Sequence, residues 1–133
     1  MARQYKENDL PLDMICMDID YMQDYADFTV NKERFPDLAK LSADLKAQGI
    51  RLVPIIDAGV RIDPNDPTCT EGLEKGYFCK KADGTPFVAA VWPGKAYFAD
   101  FLRPEVREWF GHKYKALTCL LYTSPSPRDS TSS

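Results

Sequence analysis

Two short apolar runs with a helix-like segment between them constrain the fold of this chain more than any other feature. Residues 12–19 (LDMICMDI) and 50–60 (IRLVPIIDAGV) have the length of strands, and their near-continuous apolar character is typical of strands buried on both faces. Residues 35–49 predict a helix with leucines recurring on one face: Leu38, Leu41 and Leu45. Strand, helix and strand in this order predict a right-handed parallel crossover unit of the α/β class.

The second half of the chain is predicted to contain a loop, a third strand and a second helix. Residues 61–86 are polar and contain prolines, which predicts mostly loop, although Asp83-Gly84 favours a two-residue hairpin turn. Residues 96–101 (AYFADF) predict the strand, and residues 103–121 predict the helix. The apolar stripe of that helix comprises Val106, Trp109, Phe110, Tyr114 and Leu117.

The chain ends in a segment of different composition. Residues 122–133 (YTSPSPRDSTSS) are rich in Ser, Pro and Thr and have almost nothing to bury, which predicts disorder. This segment also resembles translated cloning adapter rather than natural protein. We therefore expect a folded part at residues 1–117 and a tail at residues 118–133.

The overall composition argues against several classes of function. With 133 residues, 44% of them hydrophobic, and a net charge of −3, the chain has the balance of one soluble domain and lacks the clustered Lys and Arg of nucleic-acid binders. No apolar run approaches the roughly 18–20 residues of a membrane span. The four cysteines form no C-x-x-C pair, so we expect reduced thiols, no metal and no cofactor. These features favour a cytoplasmic protein with neither a nucleic-acid nor a membrane partner.

Acidic residues follow each of the three predicted strands. Asp18 and Asp20 close the first run, Asp57 follows in the second, and Asp100 closes the third. In parallel α/β folds ligands bind beyond the carboxyl ends of the strands, where carboxylates can accept hydrogen bonds from sugar hydroxyls, hold a metal ion or carry out acid–base chemistry. The same residues can instead cap strand ends or pair with nearby arginines. The residues alone leave these alternatives open.

The segment DIDYM (18–22) also suggests a phosphatase. Haloacid-dehalogenase-type phosphatases carry D-x-D-x-[TV] after a buried strand, where one aspartate attacks phosphorus and both bind Mg²⁺. Met22 stands where that motif has Thr or Val. This alternative requires Mg²⁺-dependent hydrolysis of a phosphate ester.

Four longer segments together resemble glycoside hydrolase family 31, the family of α-glucosidases, α-xylosidases and related enzymes. They are PLDMICMDIDYMQDYADFTVNKERFPD, LVPIIDAGV, EGLEKGYFCKKADGTPFVAAVWPGKAYFADF and PEVREWFGHKYKAL, and they follow the family's order over residues 2–117. The combination of DIDYM with VWPG is more specific than either motif alone. The resemblance implies a partial (β/α)₈ TIM barrel, roughly its first half, with a β-hairpin insertion.

The resemblance also implies that five residues bind an oligosaccharide or glycoside substrate. Asp18 matches the acid that hydrogen-bonds hydroxyls of the non-reducing sugar in the −1 subsite, with Ile19 beside it. Ile55 matches an apolar wall of that subsite, Asp57 the acid that closes the same strand, and Trp92 an aromatic residue that lines the pocket. Such a set suits a pyranose, because a pyranose has polar edges and apolar faces.

Neither catalytic residue of the family has a match in this chain. Family members are retaining glycosidases whose nucleophile lies in a motif like W-x-D-M-N-E on the next strand, and the family pattern stops here near Thr118. We therefore expect a fragment of a retaining α-glycosidase for α-linked glucosides or xylosides. It would be inactive alone, with open strand edges that favour aggregation. The alternative is a carbohydrate-binding fragment without chemistry, which glucose would stabilise in a thermal melt.

Overall fold

The computed structural model describes residues 1–121 and folds them around two small sheets. In chain order the elements are α1 (Ala2–Glu7), β1 (Met14–Met17), a 3₁₀ helix (Ile19–Tyr21), α2 (Leu38–Ala47), β2 (Arg51–Pro54), β3 (Gly59–Arg61), α3 (Pro67–Glu74), β4 (Ala89–Val91), β5 (Gly94–Phe98) and α4 (Pro104–Leu121). β1 and β2 form a parallel pair, and the other sheet is antiparallel with the order β3-β5-β4. Most of the predicted tail, residues 122–133, lies outside the described part of the chain.

The predicted parallel crossover unit is confirmed. β1 pairs with β2 so that Met17 lies opposite Pro54, and α2 forms the connection. Asp37 is the N-cap of α2 and accepts a hydrogen bond from the Lys40 N–H at 2.9 Å. Leu41, predicted on the apolar face of α2, is instead 37% exposed. The buried core around this unit consists of Met17, Tyr21, Met22, Leu38, Leu45, Ile50, Leu52, Leu117 and Leu121.

The prediction of one strand over residues 50–60 is wrong, because the chain changes sheets within that run. β2 ends at Pro54, and β3 begins at Gly59 and pairs with β5 in the antiparallel orientation. Between the two strands the Asp57 N–H donates to a carboxylate oxygen of Asp27 at 3.0 Å. The prediction of burial on both faces is also wrong, since one face of the parallel pair carries exposed side chains: Met14, Cys16, Val53 and Ile55.

The third predicted strand has different bounds and partners from those expected. β5 covers Gly94–Phe98, and a tight turn at Trp92-Pro93 folds it back antiparallel to β4. Asp100 therefore does not stand at the end of a parallel strand, and that expectation is wrong. Its Oδ1 accepts the Leu102 N–H at 3.2 Å in the turn before α4.

Residues 61–86, predicted to be mostly loop, contain the helix α3. Asp66 is its N-cap and accepts the Thr68 N–H at 3.0 Å, and Pro67 occupies the first turn. An acidic N-cap followed by proline is a favourable helix start, because proline has no N–H to leave unpaired and its φ suits the first turn. The loop prediction overlooked this start.

The hairpin turn near Asp83-Gly84 is present but longer than predicted. The Gly84 N–H donates to the Lys81 carbonyl at 2.9 Å, and the Lys81 N–H donates to the Thr85 carbonyl at 2.8 Å. The centre of the turn is therefore Ala82-Asp83, and Gly84 follows in the left-handed region with φ +83°. This arrangement is typical of longer hairpin loops, in which glycine takes the positive φ after the turn.

The apolar stripe of α4 is largely buried, as predicted. Val106, Trp109 and Phe110 belong to an aromatic-rich core with α3 and the antiparallel sheet, whereas Leu117 packs against the parallel unit. Tyr114 is the exception at 39% exposed.

The C-terminal turn of α4 remains packed beyond residue 117. The Ser42 hydroxyl of α2 donates to the Leu121 carbonyl at 2.7 Å, and Leu121 is buried in the core around the parallel unit. Within residues 1–121, no helix combines the length and apolar character needed to cross a bilayer.

Alanine substitutions at two helical glycines, Gly72 in α3 and Gly111 in α4 as a control, test the packing of α3 against Phe78. A Cβ at Gly72 would come within 3.0 Å of ring carbons of Phe78, which is buried, whereas a Cβ at Gly111 in α4 would meet nothing within 4 Å. Gly72→Ala should lower the free energy of unfolding by about 1–3 kcal/mol through overpacking. Gly111→Ala should raise it by about 0.5–1 kcal/mol through helix propensity. Urea titration followed by circular dichroism measures both, and equal effects of the two substitutions would contradict this packing.

Candidate functional site

Asp18 lies at the carboxyl end of β1, where the chain turns away from the sheet. It is the N-cap of the 3₁₀ helix, with an extended backbone (φ −78°, ψ −177°), and its Oδ1 accepts the Ile19 N–H at 2.8 Å. The carboxylate is exposed, and Ile19 beside it is half-buried. Asp18 therefore presents a hydrogen-bond acceptor at the end of the strand, as predicted.

Ile55 is brought beside Asp18 by continuation of the parallel hydrogen-bond ladder. The Ile55 N–H donates to the Met17 carbonyl at 3.0 Å, one residue beyond the end of β2. Asp18 and Ile55 line the same open cleft of about 470 Å³, whose remaining walls are Cys16, Met17, Val53 and Pro54. Ile55 is 44% exposed, so the cleft combines a carboxylate with accessible apolar surface.

Tyr21 fastens the 3₁₀ helix to the end of β2. Its hydroxyl donates to the Ile55 carbonyl at 2.7 Å, and its side chain is only 1% exposed. Burial, followed by the nearby Asp27 carboxylate, raises the pKa of this hydroxyl above its usual range, so it remains a donor. Tyr21 was not among the predicted site residues, although it lies within the DIDYM segment.

Asp57 lies in the segment between β2 and β3, where it is held by a residue that the sequence analysis missed. The Asp57 N–H donates to Oδ1 of Asp27 at 3.0 Å, and Asp27 is only 2% exposed. Burial raises the pKa of Asp27 to about 7, the bond from the Asp57 N–H opposes that rise, and the Asp57 carboxylate adds to it. The apolar neighbours Ala26 and Phe28 were the one sequence feature that indicated burial of Asp27.

Trp92 lies at the turn between β4 and β5 and is 72% exposed. The hairpin comes close to the segment that follows Asp57, since a Cβ added to Gly59 would lie 2.7 Å from Cγ2 of Val91. Asp18 and Ile55 thus share a cleft at the ends of the parallel strands, and Ile19 follows Asp18 in the chain. Asp57 and Trp92 do not line this cleft: Asp57 follows two residues after Ile55, and Trp92 lies on the hairpin that approaches Gly59 through Val91.

The two carboxylates of the D-x-D segment have different partners. Asp18 bonds the backbone of Ile19, whereas Asp20 pairs with the guanidinium of Arg34 at 3.3 Å. Within residues 1–121, no group of three His, Cys, Asp or Glu side chains is arranged to hold a metal ion. The two aspartates of the phosphatase motif are thus engaged by separate protein partners.

Comparison with known proteins identifies one family across nearly the whole chain. The family description "Glycosyl hydrolases family 31 TIM-barrel domain" matches residues 1–122. The chain is 47% identical over 120 residues to "Alpha-glucosidase 2" of Bacillus thermoamyloliquefaciens, covering 90% of this chain and 15% of that protein. The chain thus spans only a small part of this relative's length.

Solved structures agree with that match. The crystal structure of a family 31 alpha-glucosidase from Bacteroides thetaiotaomicron superimposes with a TM-score of 0.81 at 37% identity, covering 90% of this chain and 20% of that one. The crystal structure of a glucosidase II alpha subunit superimposes with a TM-score of 0.84 at 30% identity, covering 93% and 13%. The fold of the described residues is therefore that of a segment of an α/β barrel.

Removal of the Tyr21 hydroxyl tests the link between the 3₁₀ helix and β2. Tyr21→Phe keeps the ring but leaves the Ile55 carbonyl without this donor, and should lower the free energy of unfolding by about 1–2 kcal/mol. Tyr5→Phe, at a tyrosine of α1 that is 37% exposed, is the matched control and should change stability by less than about 0.5 kcal/mol. Denaturant unfolding measures both changes, and equal small effects would argue against the link.

Proposed function

Because the chain belongs to glycoside hydrolase family 31, we propose that it forms part of the sugar-binding end of the barrel of an α-glycosidase. The substrate class is α-linked glucosides or xylosides. The observation that carries this proposal is the cleft shared by Asp18 and Ile55, which opens at the carboxyl ends of two adjacent parallel strands. Ligands of barrel enzymes bind at this end of the strands.

The chemistry of the cleft suits a pyranose ring. The exposed Asp18 carboxylate can accept hydrogen bonds from two hydroxyls, and charge-assisted bonds of this kind are stronger than neutral ones. Ile19 and Ile55 offer apolar surface to the C–H face of the sugar, and Asp57, in the segment between β2 and β3, is a second acceptor. Trp92, exposed at its hairpin turn, is available as an aromatic platform for the ring.

None of residues 1–121 is proposed as the nucleophile or as the general acid/base. Retaining hydrolysis uses two carboxyl groups about 5–5.5 Å apart on either side of the scissile bond. Asp18 caps the 3₁₀ helix, Asp20 is paired with Arg34, and Asp27 is buried, so these acids are engaged otherwise. The proposed role of this chain is therefore to bind and orient the sugar.

We also propose where this chain lies in the barrel. β1, α2, β2 and α4 would belong to roughly the first half of a (β/α)₈ barrel. The hairpin that turns at Asp83-Gly84 would be an insertion, and it leads into β4 and β5, whose turn carries Trp92. The exposed face of the parallel pair, which includes Met14 and Val53, is the side on which further barrel strands and their side chains would pack.

Replacement of Asp18 in the full-length enzyme that contains this chain tests the proposal. Asp18→Asn should lower kcat/KM on a chromogenic α-glucoside by about 10- to 100-fold, because the hydroxyls lose a charged acceptor.

The matched control is Asp44→Asn on α2. Its carboxylate is ion-paired with Lys40 at 2.6 Å on the exposed side of the helix, and its removal should leave kcat/KM unchanged. Equal activity of the Asp18→Asn variant and the unmodified enzyme would overturn the proposed sugar contact.

A further inference from the structure

Two carboxylate oxygens that are buried close to the proposed site have no partner. Oδ2 of Asp27 and Oδ2 of Asp57 are both buried without a hydrogen bond in the described part of the chain. The two residues are already joined, since the Asp57 N–H donates to Oδ1 of Asp27 at 3.0 Å. A buried ionised carboxylate without a counter-charge is costly, and a second carboxylate beside it raises that cost.

No salt bridge within residues 1–121 involves Asp27. Besides burial, the hydrogen bond from the Asp57 N–H favours the charge of Asp27, whereas the carboxylates of Asp57, after β2, and Asp66, before α3, disfavour it. Tyr21 on the 3₁₀ helix and Tyr114 on α4 also lie within its electrostatic reach. Within residues 1–121 no cluster of three ligating side chains could hold a metal. A proton on Asp27 would remove the cost of its buried charge.

We propose that Asp27 is the neutral member of an acid–carboxylate pair with Asp57. In this pair the Oδ2–H of Asp27 donates to Oδ2 of Asp57, while its Oδ1 accepts the Asp57 N–H. Each of the two unpartnered oxygens thereby becomes the partner of the other. We place the proton on Asp27, because Asp27 is 2% exposed whereas Asp57 is half-buried, and deeper burial favours the neutral form of a carboxyl group.

The pair makes Asp27 a positioning residue that acts through Asp57. Two hydrogen bonds from one side chain fix both the backbone and the carboxylate of Asp57, and leave its Oδ1 to meet a ligand. The role of this pair in sugar binding rests on the proposed function, whereas the existence of the pair does not. The experiment that tests the pair therefore uses no sugar.

A neutral Asp27 stabilises the fold more at low pH than at high pH. Burial raises the pKa of Asp27 to about 7, whereas an aspartate in an unfolded chain titrates near about 3.9. The contribution of this group to stability is therefore full below about pH 4, falls as the pH rises, and is lost above about pH 7. Asp27→Asn should abolish this dependence.

Infrared spectroscopy of the 133-residue chain labelled with [4-¹³C]aspartate detects the proton directly. Asp66 is a second buried aspartate whose pKa is raised by burial, so all variants are made in the Asp66→Asn background. At about pH 6, where exposed aspartates are ionised, that chain should show the C=O stretching band of one neutral carboxyl group. Asp27→Asn should remove the band, and Asp44→Asn at an exposed position of α2 should leave it unchanged. A missing band in the unmodified chain, or a band that survives Asp27→Asn, would overturn the proposal.

Two further variants separate positioning from simple packing. Asp57→Asn places an N–H donor next to Asp27, which favours its ionised form, so the midpoint of the band should fall by at least about one pH unit. Asp27→Asn preserves both hydrogen bonds through its amide, whereas Asp27→Leu loses both, so the melting temperature should fall more for Asp27→Leu. An unchanged midpoint in Asp57→Asn would contradict the pair even if Asp27→Asn failed to fold.

Discussion

Parallel pairing of β1 with β2 is the constraint on which the candidate site depends. Strands that run in the same direction end on the same side, so the residues that follow them become neighbours although they are far apart in sequence. The bond from the Ile55 N–H to the Met17 carbonyl, at 3.0 Å, extends this pairing to the residue beside Asp18. The Tyr21 hydroxyl then secures the turn after β1 to the same Ile55 carbonyl at 2.7 Å. Together these bonds place a carboxylate and an apolar side chain in one cleft.

The remainder of the fold holds the chain after β2 in place. Asp57 is fixed by the buried Asp27, and β3 leads directly from it into the antiparallel sheet. Gly59 allows Val91 to come close, since any Cβ there would lie 2.7 Å from Cγ2 of Val91. The hairpin of β4 and β5, which carries Trp92, therefore packs closely against β3, the strand that follows Asp57. Asp57 is thus supported by a contact with a buried residue rather than by a surface ion pair, which would contribute little.

Local sequence predicted those parts of the fold that depend on local patterns, and missed those that depend on distant partners. The β1-α2-β2 unit follows from two apolar runs and a helical stripe, and with it the positions of Asp18 and Ile55. The antiparallel pairing of β3 with β5 joins residues far apart in the chain, so periodicity could not reveal that residues 50–60 change sheets. Asp27 was missed because its burial comes from elements distant in sequence. α3 could have been predicted, since Asp66 followed by proline is a local helix start.

We propose that the carboxyl ends of β1 and β2 form one wall of a sugar-binding site, and a crystal structure of the full-length protein with a bound aza-sugar inhibitor would show whether they do. Oδ2 of Asp18 should then lie within about 2.6–3.2 Å of a ligand hydroxyl, with the Ile55 side chain in contact with the ring. A ligand bound elsewhere in the barrel, without direct contact to Asp18 or Ile55, would contradict it.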